Sequence, residues 1–212
     1  MLSSIEEHFR AIEDPRVERN KKHKLLDIIV LAICGVVSGA EGWEAIEEFG
    51  YEKQQWLRKY LELANGIPSH DCIARVLSRI SPSEMTECFI AWTRSVSQLT
   101  AGEVVAIDGK TLRHSYNTKE KLGAIHMVSA WASQAVRAHW GIENSLHWVL
   151  DVTFREDDCR IRRGDSPANF NIIRQVSLNL LKRERSKLSI KRKRFKAALS
   201  DSFRENIFSL SD

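Results

Sequence analysis

At 212 residues with 43% hydrophobic content, the chain is long enough for one large or two small domains with a true core. Its longest apolar run, LLDIIVLAICGVV from Leu25 to Val37, carries Asp27 and falls short of the ~20 residues a bilayer span needs, which argues against a membrane protein. The net charge of +4 is uneven: residues 1–100 hold 12 Lys/Arg against 15 Asp/Glu, whereas residues 101–212 hold 20 against 13, the balance of a nucleic-acid binder.

The N-terminus MLSSIEEHFRAIEDPR has acidic residues and no apolar stretch after a basic start, so it reads as no secretory leader and points to the cytoplasm. From Ser4 to about Thr100 the periodicity is helical. Leu25 to Val37 reads as a buried helix, and Gly39 and Gly42 break the chain after it. A second helical stretch follows, with Trp43, Ile46, Phe49, Trp56, Tyr60 and Leu63 on an apolar stripe of the kind that usually forms core. Ser69 is an N-cap for a helix burying Ile73, Val76, Leu77 and Ile80. Ser81, Pro82 and Glu84 then form the start of another helix, with Glu84 closing a capping box. This pair of helices could also read DNA. Residues 1–100 are thus a helical domain.

The pattern changes at Gly102. Val104 to Ile107 reads as an apolar strand delivering Asp108 at its end, and Ala124 to Ser133 as a second, antiparallel strand. From Ala135 the chain reads as helix to about Asp151, and Asp165, Ser166 and Pro167 start a further amphipathic helix with Phe170, Ile173, Val176, Leu180 and Leu181 on its apolar face. The stretch KRERSKLSIKRKRFK carries nine Lys/Arg: Lys182, Arg183, Arg185, Lys187, Lys191, Arg192, Lys193, Arg194 and Lys196. It is either a solvated face or a phosphate-binding surface, and these nine are the candidate DNA-binding residues. The four cysteines, widely spaced and without a CxxC pair, read as free thiols.

Within the Val136 to Asp151 helix, His139, Glu143 and His147 fall inside the apolar arc of Val136, Trp140, Ile142, Leu146, Val149 and Leu150. A carboxylate placed there needs a cation, a metal or a donor. One reading is a salt bridge between Glu143 and its own histidines; another is zinc held by His139, Glu143 and His147. A third pairs Glu143 with Asp108 as oxygen ligands for a hard ion such as Mg²⁺.

Four blocks, "GIPSHDCIARVLSRISPSE", "VVAIDGKTLRHS", "HWGIENSLHWVLDVTFREDDCRIRRGDSPANF" and "LNLLKRERSKLSIKRKR", resemble in that order the bacterial insertion-sequence transposases of the H-repeat-associated group. The resemblance runs over nearly the whole chain. It implies a helical domain at 1–100, then an RNase H-like DDE catalytic domain at 101–212 ending in basic helices. Such enzymes use three carboxylates and two Mg²⁺ ions for phosphoryl transfer. By motif, Asp108 in "AIDGK" and Glu143 in "HWGIENSLHW" are the catalytic and metal-binding carboxylates, with His139 and His147 as accessory residues. The Tyr and Arg that precede the Glu in related transposases are here Val136 and His139.

The second Asp of the triad has no counterpart. Asp108 and Glu143 are 35 residues apart with no Asp between them, too short a span for the missing strands and crossover helix. An internal deletion joining "SAWASQ" to "AVRAHW" accounts for the gap. The expected fold is mainly α with a small β remnant: the helical domain, a truncated RNase H-like α/β domain and a basic helical C-terminal segment. The expected partners are the DNA of the element ends, and an oligomer or intact transposase. Catalysis is expected to be lost or impaired, the alternatives being a DNA-binding repressor of transposition or a remnant without a role.

Overall fold

The computed structural model describes residues 2–98, 104–111, 126–133 and 148–209, and these are mainly helical. In chain order they form α1 (Leu2–Phe9), a 3-10 turn (Glu18–Asn20), α2 (Leu25–Val37), α3 (Trp43–Glu52), α4 (Gln54–Leu57), α5 (His70–Leu77) and α6 (Pro82–Gln98). Then come β1 (Val104–Thr111), β2 (His126–Ser133), α7 (Trp148–Thr153), α8 (Ser166–Arg183), α9 (Ile190–Leu199) and α10 (Asp201–Ser209). Among the described residues no helix is long and apolar enough to cross a membrane.

The apolar run becomes α2 with the predicted limits, buried from Asp27 to Val37. Asp27 is tolerated because its carboxylate accepts the Leu63 backbone N–H at 3.0 Å. Burial still raises its pKa. The helix ends in a Schellman turn: Gly39 takes a φ of +104°, which glycine adopts without a Cβ penalty. The Ala40 N–H then reaches Gly35 O at 2.9 Å and the Gly39 N–H reaches Val36 O at 3.2 Å.

Helix α8 packs along α2 and is buried at every position from Ser166 to Leu181. The expected amphipathic helix is therefore a central one: α2, α5, α6, α9, α10 and β2 all adjoin it, so its polar side has no access to water. Part of that side bonds to its neighbours. Asn169 donates to Leu77 O at 2.8 Å and Ile80 O at 2.9 Å, capping the C-terminal end of α5. Gly164, at φ +47°, lets the chain touch the same corner, where a Cβ would sit 2.6 Å from Ser78 O. Trp43 of α3 meets Phe170 edge-on at 4.7 Å.

One hydrophobic core thus runs from Ile5 to Phe208. Described helices on either side of residue 100 share this packing. Three local expectations also change. The 43–63 stripe divides into α3 and α4 at Lys53, leaving Tyr60 40% exposed. Ser69 caps α5 by accepting the Cys72 N–H, but Glu84 closes no capping box on α6: its carboxylate accepts the Glu13 N–H at 3.0 Å, and Ser81 Oγ pairs with Ser83 Oγ at 2.7 Å. β1 continues through Asp108 to Thr111, so Asp108 lies within the strand, across from Ser129 of the antiparallel β2. The four cysteines are free thiols, two of them buried.

Candidate nucleic-acid interface

The corner between α8 and α9 sorts the nine basic residues into inner and outer sets. Ser189 caps α9, its hydroxyl accepting the Arg192 N–H at 3.4 Å. That start places Lys193 and Arg194 on the inner face, 4% and 5% exposed. Lys193 Nζ donates to Leu181 O at 3.0 Å and Glu184 O at 2.5 Å, and stands 3.3 Å from the Glu184 carboxylate. Burial raises that carboxyl, but hydrogen bonds from Ser186 and the charge and hydrogen bond of Lys193 outweigh it, and its pKa lies below the ordinary value.

Arg194 reaches further. Its guanidinium donates to Val36 O at 3.1 Å, Thr153 O at 2.5 Å and Ala40 O at 3.3 Å, and stacks 4.3 Å from the Phe154 ring centroid. It closes the carbonyl ends of α2 and α7, where the helix dipole favours a cation. Burial lowers its pKa to about 10, still protonated at neutral pH. Lys193 and Arg194 are therefore structural, and the sequence assignment of both to a DNA surface is corrected: carbonyls left at helix ends draw them inward. Lys182 and Arg183 are half-buried, and Arg183 donates to Val96 O at 3.3 Å. Burial depresses Lys182 to about 7, leaving it about half charged at neutral pH.

Arg185, Lys187, Lys191, Arg192 and Lys196 are exposed. No Asp or Glu occurs from residue 185 to residue 199, so no acidic residue of that run offsets them. Lys191 and Arg192 occupy the first turn of α9, where no acidic residue offsets the positive dipole end. Cations at that end cost roughly 0.3–1 kcal/mol each, so local helix stability does not explain them. Near the start of the chain, basic groups are instead paired with acidic ones. Arg16 and Lys21 pair with Asp14 and Glu18 at 2.8 and 2.9 Å, and Lys24 pairs with Glu62. A cleft of about 750 Å³ beside them is lined by five basic and five acidic side chains. The exposed residues of α5, Asp71 and Arg75, likewise carry both signs.

Two apolar residues that sequence reading passed over share the outer face of α9: Phe195 and Leu199, 66% and 69% exposed. The signal was present, because at about 100° per residue both fall between Lys191 and Lys196. Of the catalytic candidates, Asp108 lies in β1. Glu143, His139 and His147, with the predicted helix from Ala135 as far as His147, lie outside the described residues. Among the described residues no group of three or more His, Cys, Asp or Glu side chains could hold a metal ion.

Residues 6–93 match the family model described as DDE_Tnp_1-associated. The chain is 50% identical over 132 residues to the "H repeat-associated putative transposase YhhI" of Escherichia coli K12, a match covering 62% of this chain and 35% of that protein. It is 49% identical over 78 residues to the "Inactive transposase YbfQ" of the same strain, covering 37% of this chain and 93% of that one. The matched part thus spans about a third of the length of YhhI. No solved structure matches.

Proposed function

Because the chain belongs to the insertion-sequence transposases of the H-repeat-associated group, we propose that it binds DNA through the α8–α9 corner and has lost strand cleavage of its own. The observation that carries this reading is the set of five exposed cations, Arg185, Lys187, Lys191, Arg192 and Lys196, in a run with no acidic residue. Each phosphate they neutralise would release condensed counterions, the main source of affinity in sequence-independent binding. The element ends are the proposed target, and occupying them, or joining an intact transposase there, would repress transposition.

Loss of cleavage follows from the donor set. The chain offers Asp108 and Glu143 where a two-metal centre takes three carboxylates, so its residues do not fit the Mg²⁺ site of an active DDE enzyme. The 35 residues between Asp108 and Glu143, with no Asp among them and too few for the missing strands and crossover, support an internal deletion in an RNase H-like segment.

A mobility-shift titration against element-end DNA across a salt series tests the reading. Five phosphate contacts give a log–log salt slope of about −4 to −5. Replacing the five cations by Gln should flatten it, while absence of salt-dependent binding overturns the proposal. Incubation with Mg²⁺ or Mn²⁺ should yield no nicking; specific nicking that disappears in Asp108→Ala would show that cleavage survives.

A further inference from the structure

Helix α9 is turned inside out. Its inner face holds Lys193, Arg194 and Ala197, and its outer face holds Phe195 and Leu199 among Lys191, Arg192 and Lys196. Large apolar side chains usually lie inward in such a helix. Here the buried cations satisfy carbonyls of α2, α7 and α8, which fixes the rotation of the helix and forces the phenyl ring outward. Phosphate contacts with a duplex backbone use the cations but leave the ring without a partner, because phosphates offer nothing apolar. Acidic protein partners would match the charge but not explain a cation on each side of an aromatic ring. Single-stranded DNA matches both, because its phosphates run beside unstacked bases that present apolar faces.

We infer that the outer face of α9 is a stacking platform for an unpaired base of single-stranded or locally opened DNA. Phe195 takes the base, Leu199 extends the apolar floor, and Lys191, Arg192 and Lys196 hold the flanking phosphates. Lys196 also stands 4.4 Å from the Phe203 ring, which steadies it on that side. This rests on the DNA-binding reading above and adds the kind of DNA and the residue that selects it.

The test compares a mixed-sequence single strand with a duplex of equal length by fluorescence anisotropy over a salt series, using the full chain. Phe195→Ala should weaken single-strand binding about fivefold to a hundredfold and leave the duplex affinity and both salt slopes unchanged. Phe195→Trp should restore binding, and Phe195→Leu, apolar but without a ring, should not. A thermal melt unchanged in Phe195→Ala confirms that the fold is intact, as expected for a side chain this exposed. If Phe195→Ala binds the single strand like the wild type while Lys191→Gln/Arg192→Gln/Lys196→Gln weakens it, stacking is overturned and DNA binding stands. If neither DNA shows salt-dependent binding, both readings fall. If Phe195→Ala leaves DNA affinity alone but converts a dimer to a monomer in sedimentation, the face is a contact between copies and the inference is overturned.

Discussion

A guanidinium taken out of water costs several kcal/mol unless its donors are met, and Arg194 meets them with three carbonyls at the ends of two helices. Arg194→Ala should therefore destabilise the protein by about 3–5 kcal/mol in urea unfolding, since it leaves the carbonyls of Val36, Ala40 and Thr153 without this donor and uncovers Phe154. Arg194→Lys should recover only part, because one ammonium cannot reach three diverging oxygens. A loss below about 1 kcal/mol in the alanine variant would mean that water replaces the guanidinium freely. Lys182 is the opposite case. Burial holds its folded-state pKa near 7, far under the ordinary 10.5, so the unfolded chain binds the extra proton between those values. Stability due to this group therefore rises as pH climbs from about 7 to 10.5, and the penalty is complete below 7. Lys182→Met should raise the Tm more at pH 7 than at pH 10; an equal shift at both would show that the lysine is not desolvated.

At the scale of the element, sequence and structure agree where burial alone sets the pattern and part where a neighbour's backbone does. Helix α2 is legible because nothing but a core accommodates LLDIIVLAICGVV, and α5 because Ser69 announces it. Helix α8 was misread for a physical reason. Its Asn, Arg, Gln and Ser residues repeat with helical spacing and imitate a solvated face, yet Asn169 faces the carbonyls of α5. Among the described residues the side-chain amides of Asn171 and Gln175 find no hydrogen-bond partner. Helix α9 was misread in the same way: a run of cations reads as a uniform charged surface until the carbonyl ends of α2, α7 and α8 claim two of them. Five of nine candidate DNA-binding residues are left on the surface, and Phe195 and Leu199 join them. Glu143 and its two histidines rest on spacing and resemblance alone, and they lie outside the described residues.

The described helices on either side of residue 100 are held together by one hydrophobic core. α2 belongs to the first hundred residues and α8 to the second hundred, yet each supplies the other's main apolar partner. Phe170, Ile172, Ile173, Val176, Leu178, Leu180 and Leu181 are all at most 1% exposed. At roughly 1.5–3 kcal/mol for each large apolar side chain, removing α8 forfeits burial on the order of the 5–15 kcal/mol that separates folded from unfolded domains. The loss counts twice, since the face of α2 that α8 covers is uncovered as well. A protein ending at residue 100 should therefore lack a cooperative thermal transition and bind the dye ANS, although its helices keep their capping residues and apolar stripes. The full chain should melt in one step, because described residues on both sides of residue 100 share one core. Calorimetry on the two proteins decides: a cooperative melt of residues 1–100 alone would mean that the first half carries its own core and that α8 merely decorates it.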